Sequence, residues 1–183
     1  LFKPFEFKSL KLPNRVVIEK DITVRSVNGP GSTVIRGEGN VRCVRMTAGT
    51  LMGFTVANGN CLPDGDNHYD RSGAGISMYP STQAKAVNCL ITGNAAMGDG
   101  GGADGGNLFN CTVVKNNGVR GLGGVANASV YNCIVLSNER GNLKACTCYY
   151  TCSSPRPVGV GNIEMNPQFV DAPAGNYRLG MDS

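Results

Sequence analysis

Three stretches decide the fold: AVNCLITGN at 86–94, LFNCTVVKN at 108–116 and VYNCIVLSN at 130–138. Cys89, Cys111 and Cys133 recur at a spacing of 22 residues. Each follows an asparagine (Asn88, Asn110, Asn132) and precedes an apolar run that ends on another asparagine (Asn94, Asn116, Asn138). The glycine pairs Gly101-Gly102 and Gly123-Gly124 keep the same period, followed by Ala103 and Val125. Several features sharing one spacing mark an internal repeat. A unit of 22 residues is too short for a helical hairpin of ~33–34. Its alternation near period two, with Ile and Val abundant, reads as strand. No leucine-rich consensus and no 10–12-residue helical stripe lies between the strands. The remaining solution is an all-β parallel β-helix solenoid with ~22-residue coils and end caps.

In such a solenoid equivalent residues of successive coils stack into ladders at the ~4.8 Å strand spacing. Cys89, Cys111 and Cys133 are expected as an inward ladder of small hydrophobes. Asn94, Asn116 and Asn138 are expected as a ladder of turn amides. Earlier coils follow with less regularity. Leu51–Asn58 fits the strand slot with Phe54 in the cysteine position, and Gly73–Ile76 fits the glycine slot. Asn60–Ser72 is then an insertion, which solenoids carry as a loop on one face. Asp21–Val27 and Ser32–Arg36 read as strands about the turn Asn28–Gly31. The whole chain, 1–183, reads as one domain: a cap over 1–20 with Phe5, Phe7, Leu10 and Leu12, coils over 21–152, and a second cap over 153–183.

The composition of the 183 residues fits this reading. Apolar residues make up 41%, enough for a packed core. A net charge of +4 falls short of a nucleic-acid-binding signature. No apolar run approaches the ~18–20 residues of a membrane span. The segment Leu1–Phe7 lacks the pattern of a signal peptide. The single histidine, His68, excludes two-histidine metal sites.

The stretches VRSVNGPGSTVIRG, VRCVRM and GFTVANG, the NC…N repeats and the closing NPQFVDAPAGNYRL resemble the right-handed parallel β-helix repeat proteins of the pectate-lyase-like superfamily. The resemblance covers about residues 17–180. The alternation of Gly-Gly-Ala/Val with a strand ending in Asn is also similar to polymorphic outer-membrane adhesins. The resemblance implies a secreted or cell-surface location within a larger exported protein. Residues 1–17, LFKPFEFKSLKLPNRVV, resemble instead the N-terminal segment of old yellow enzyme family ene reductases. The (β/α)₈ barrel of that family needs ~250 residues, so no flavin chemistry is implied.

Eight cysteines are present. Parallel stacking sets the torsions of the ladder cysteines against bonding, so they are expected as free thiols. The pairing of Cys43, Cys61, Cys146, Cys148 and Cys152 is open, and a bridge within the irregular ACTCYYTC segment is compatible with the spacing.

Chemistry is less marked. Asp64, Asp66, Asn67 and Asp70 in the insertion alternate oxygen ligands as Ca²⁺ requires, but without the EF-hand glycine and glutamate. No other cofactor is expected. Asp99 and Asp104 flank a glycine step and are candidate acid and base groups. Nine Lys/Arg against four Asp/Glu precede residue 61. Arg25, Arg36, Arg42 and Arg45 are candidates for one cationic face that would attract acidic polysaccharide. Arg25, Arg36 or Arg45 would also serve as the base of a lyase, as the superfamily resemblance implies. Tyr69, Tyr79, Tyr149 and Tyr150 are candidate sugar-stacking platforms. The sequons at Asn110 and Asn127 are read as incidental. Three readings follow: a non-catalytic structural or adhesin-like module that binds polysaccharide or cell-surface glycan, a Ca²⁺-dependent polysaccharide lyase or a hydrolase, and a unit that assembles end to end through its exposed coils.

Overall fold

A computed structural model describes residues 16–61 and 68–180 of the protein. The chain winds through three parallel sheets of six strands each. The first sheet runs from Val16–Ile18 through Val44–Met46, Ile76–Ser77, Ala103–Asp104 and Val125–Ala126 to Leu143–Lys144. The second runs from Thr23–Arg25 through Thr50–Met52, Lys85–Val87, Asn107–Phe109 and Ser129–Tyr131 to Thr147–Tyr149. The third runs from Val34–Arg36 through Thr55–Ala57, Leu90–Thr92, Thr112–Val114 and Ile134–Leu136 to Cys152–Ser153. Each coil contributes one strand to each sheet in turn, which makes a parallel β-helix.

Register follows the repeat. Thr112 pairs with Leu90 on one side and Ile134 on the other, 22 residues away each time. Thr55 pairs with Leu90, 35 residues on, because the Asn60–Ser72 insertion intervenes. The last coil is shorter, since Ile134 pairs with Cys152 after 18 residues. The missing residues fall between Leu136 and Leu143, where the chain passes from the third sheet to the first.

Strands are only two to four residues long because corners come so often. The expected strands Asp21–Val27 and Ser32–Arg36 therefore shrink to Thr23–Arg25 and Val34–Arg36. At the corner between second and third sheets, Gly53, Asn88, Asn110, Asn132 and Tyr150 all hold φ between 51° and 76°. Asparagine tolerates this left-handed conformation better than most residues with a Cβ.

Inside, each sheet supplies one apolar column. Ile35, Val56, Ile91, Val113 and Val135 line the third sheet, and Leu51, Ala86, Leu108, Val130 and Cys148 the second. All are buried, and β-branched side chains suit a pleated surface covered on one face. Cys89, Cys111 and Cys133 continue a column that starts at Thr33 and Phe54 and ends at Thr151. Each thiol donates to the carbonyl two residues before it, Val87, Phe109 or Tyr131, at 3.2–3.3 Å.

The buried asparagine ladder also forms. Asn94 Nδ2 donates to Asn116 Oδ1 and Asn116 Nδ2 to Asn138 Oδ1, both at 2.9 Å. Asn138 Nδ2 then donates to Asn142 Oδ1 at 3.0 Å, and Asn142 Nδ2 to the Ser154 carbonyl. Asn142 closes the ladder where the coil shortens.

The ends differ from simple caps. Val16–Ile18 lies within the segment expected as an N-terminal cap, yet it is the first strand of the first sheet, paired with Val44–Met46. Residues 1–15, which carry the rest of that cap and of the ene-reductase resemblance, lie outside the described residues. At the other end Ile163 bridges to Cys152 and the Val160 carbonyl accepts from Tyr150 N, which covers the last coil. Beyond it the chain turns back. Phe169–Asp171 and Asn176–Leu179 form an antiparallel hairpin, and Asn176, Tyr177 and Arg178 line a cavity together with Asn88 and Pro30 of the earlier coils.

Candidate functional site

The returning hairpin creates a concavity along the solenoid wall. It faces the corner where the second sheet turns into the third, and two adjoining cavities of about 390 and 500 Å³ lie between them. Asn110, Thr112 and Tyr177 line both. The floor is the exposed corner row Asn88, Asn110 and Asn132, with Tyr150 above. The opposite wall carries Met165, Tyr177 and Leu179.

The corner dictates how these side chains stand. Equivalent φ values point each one outward from its coil. Asn132 Nδ2 donates to Asn110 Oδ1 at 2.8 Å, linking two of the rungs. Tyr150 is 63% exposed and holds φ 52°. A bulky aromatic residue is a genuine outlier in that conformation, and such outliers concentrate at functional positions. Gly161 makes room for the ring, because a Cβ there would collide with it.

The hairpin is held by few polar contacts among the described residues. Lys115 Nζ donates to the Ala172 carbonyl at 3.2 Å and lies 5.6 Å from the centre of the Tyr177 ring. Phe169 packs edge-on against Tyr177. Among the described residues lining the two cavities only Arg178 carries a charge. A concave site with aromatic and apolar walls, a row of amides and no carboxylate in its lining is suited to holding a ligand.

The other sequence candidates fall elsewhere. Arg25, Arg36 and Arg45 occupy the second, third and first sheets respectively, so they form no common face. The reason is geometric: their strands are three successive sides of one coil. Arg42 is buried and acts as a staple. Its Nε donates to the Gly73 carbonyl at 3.0 Å and its Nη2 to Ser72 at 2.9 Å and Asp70 at 3.3 Å. The same Nη2 lies 3.7 Å from Cys61 Sγ, so the guanidinium ties both ends of the insertion.

Asp64, Asp66 and Asn67 lie outside the described residues, as does the side chain of Tyr69. Asp70 belongs to the short helix His68–Arg71. Asp99 accepts from Lys144 Nζ at 2.7 Å and from Leu122 N at 3.1 Å. Asp104 is fully buried on the outward column of the first sheet and accepts from Asn127 Nδ2 at 2.8 Å. Among the described residues no cluster of three His, Cys, Asp or Glu is placed to hold a metal ion.

Tyr149 stacks in a column with Tyr131 and Phe109, at ring separations of 5.3 and 4.9 Å. Its ring faces one neighbour in the column, which subtracts from the surface expected for sugar stacking. Tyr79 precedes a cis Pro80 and lines a separate cleft of about 310 Å³ with Asn107, Asn127 and Thr147. Phe109 and Tyr131 escaped the sequence reading although their shared place before Asn110 and Asn132 signals them. Tyr177 carries no such signal, because no period relates the hairpin to the coils.

All eight cysteines are free thiols. No bridge forms within ACTCYYTC: Cys148 lies in the interior column of the second sheet, whereas Cys152 lies in the third. Burial pushes the Cys43 thiol up to about 12. Cys111 is also raised, by its hydrogen bonds to Cys133 and Cys89 and by burial.

Comparison of the chain with models of protein families, with curated proteins and with solved structures finds no match. The fold itself defines the class: an all-β parallel β-helix.

Proposed function

We propose that the protein is a non-catalytic β-helix module, structural or adhesin-like and displayed outside the cell, that binds glycan chains in the corner groove. The observation that carries this reading is Tyr150. Its exposed ring is held in a left-handed corner conformation at the head of an amide row. An aromatic face with amides beside it offers a sugar its apolar surface and its hydroxyl partners together. The likeness to the pectate-lyase-like superfamily and to outer-membrane adhesins agrees with this role and with export.

A second reading, polysaccharide cleavage, draws on one observation. A Cβ on Gly100 would stand 3.2 Å from the Asp104 Cβ, and Asp99 precedes that glycine, so the two carboxylates flank the same outer step of the first sheet. The experiment separates the readings. The full chain is titrated calorimetrically with neutral and acidic polysaccharides, while ultraviolet absorbance and reducing ends report cleavage, with Ca²⁺ and with chelator. Binding without product is expected. Tyr150→Asn, which places in the slot the residue that three lower coils use, should weaken binding about ten-fold, equivalent to about 1.4 kcal/mol. Product formation, with or without Ca²⁺, would overturn the non-catalytic reading.

A further inference from the structure

The groove repeats its own chemistry, and the repeat has a pitch. Asn88, Asn110, Asn132 and Tyr150 occupy one structural slot in four successive coils. All four are exposed at positive φ. Neighbouring rungs of parallel strands stand ~4.8 Å apart, so the row spans about 14 Å along the solenoid axis. Identical groups at a fixed interval bind best to a ligand whose own groups recur at the same interval.

On the strength of the glycan reading, we infer that the ligand is a linear, extended glycan lying parallel to the solenoid axis, with one sugar unit per coil. The rung spacing is close to the advance of one pyranose along an extended chain. An extended peptide is out of step, because its like-facing side chains recur every ~6.6 Å. The amide row has capacity left for such a ligand. Asn132 Nδ2 bonds Asn110 Oδ1, while the Asn88 amide stands exposed at the row's foot. Tyr177 lines both cavities and so spans the middle of the path, and Tyr150 stands at one end. Four rungs set four subsites.

The test is a length series. Cello-oligosaccharides and oligogalacturonates of about one to six units are titrated calorimetrically into the full chain, its Asn88→Gly variant and its Asn110→Gly variant. Glycine keeps the left-handed corner, as Gly53 does in the same slot, so both variants retain the coil. Affinity should rise several-fold per unit up to about four units and then level off. Asn88→Gly should leave the shorter oligomers unchanged and move the plateau down by one unit. Asn110→Gly should weaken every oligomer that spans the centre, about five-fold. Binding that saturates at one or two units, or that both variants weaken equally at all lengths, would overturn the one-sugar-per-coil register and leave glycan binding standing. Tighter binding of an extended threonine-rich hexapeptide than of either hexasaccharide would overturn the ligand class. No binding by either series would overturn the register and the glycan reading together.

Discussion

Thr151 stands one coil beyond Cys133 and repeats its contact. Thr151 Oγ1 donates to the Tyr149 carbonyl at 3.1 Å, as Cys133 Sγ donates to Tyr131 at 3.2 Å. A hydroxyl thus serves where the ladder otherwise uses thiols. Cys133→Thr should therefore cost no more than about 1 kcal/mol, whereas Cys111→Leu, closed in by coils on both sides, should cost about 2 kcal/mol or more through overpacking. Urea unfolding midpoints give both values. The wild-type midpoint should not move when a thiol reductant is added, since all eight cysteines are free.

The Asn116 amide is more demanding. It is fully buried, donates to the Ile91 and Val114 carbonyls and to Asn138, and accepts from the backbone and side chain of Asn94. Asn116→Leu keeps the branching but leaves the Asn94 backbone N–H without its acceptor, while Asn94 Nδ2 retains the Val56 and Thr92 carbonyls. The expected loss is about 3 kcal/mol, at the upper end for unsatisfied buried polar groups. Equilibrium denaturation measures it, and a loss below about 1 kcal/mol would show that the ladder is not stabilising.

Cys43 makes stability depend on alkali. Its thiol titrates near 9.0 when solvated and near 12 in the fold, because burial disfavours the thiolate. Between those values the unfolded chain has lost the proton and the folded chain keeps it. Stability is therefore full below pH 9 and falls as pH rises toward 12, by about 1.4 kcal/mol per unit for this group. Urea midpoints taken at successive pH values should decline over that window. Cys43→Ala should flatten the decline by this one thiol's share.

Lys115 is the latch of the hairpin. Lys115→Asn preserves the corner, because Asn58 holds φ 55° in the same slot. It removes the bond to Ala172 and the cation over Tyr177. Amide hydrogen exchange over residues 166–180 should speed up, while global stability changes by about 0.5–1 kcal/mol at most. Glycan binding should weaken in parallel if the hairpin forms the groove wall.

The solenoid was legible because a stacked coil places like residues against like residues at a fixed sequence interval. Cys111 meets Cys89 and Cys133, and Asn116 meets Asn94 and Asn138, for the same reason. The arginines were misread at a finer scale. Successive members of the set Arg25, Arg36 and Arg45 are separated by about half a coil or less, which carries the chain round a corner each time, so nearness in sequence put them on different faces. The groove was half legible. Its asparagines and Tyr150 belong to the periodic part, but its other wall depends on Lys115 meeting Ala172, a contact between a coil and a segment outside the period.

Asn142, which closes the buried amide ladder, bears on how such a protein changes its size. Growth is simplest in the middle. A tandem duplication of one 22-residue unit would insert a coil whose every position meets its own kind above and below, and the closing amide would move outward unaltered. Loss of a unit would do the reverse. Recombination can thus reset the solenoid's length in whole steps without a compensating substitution. A single-residue insertion within a strand would instead throw the cysteine, asparagine and corner columns out of phase together.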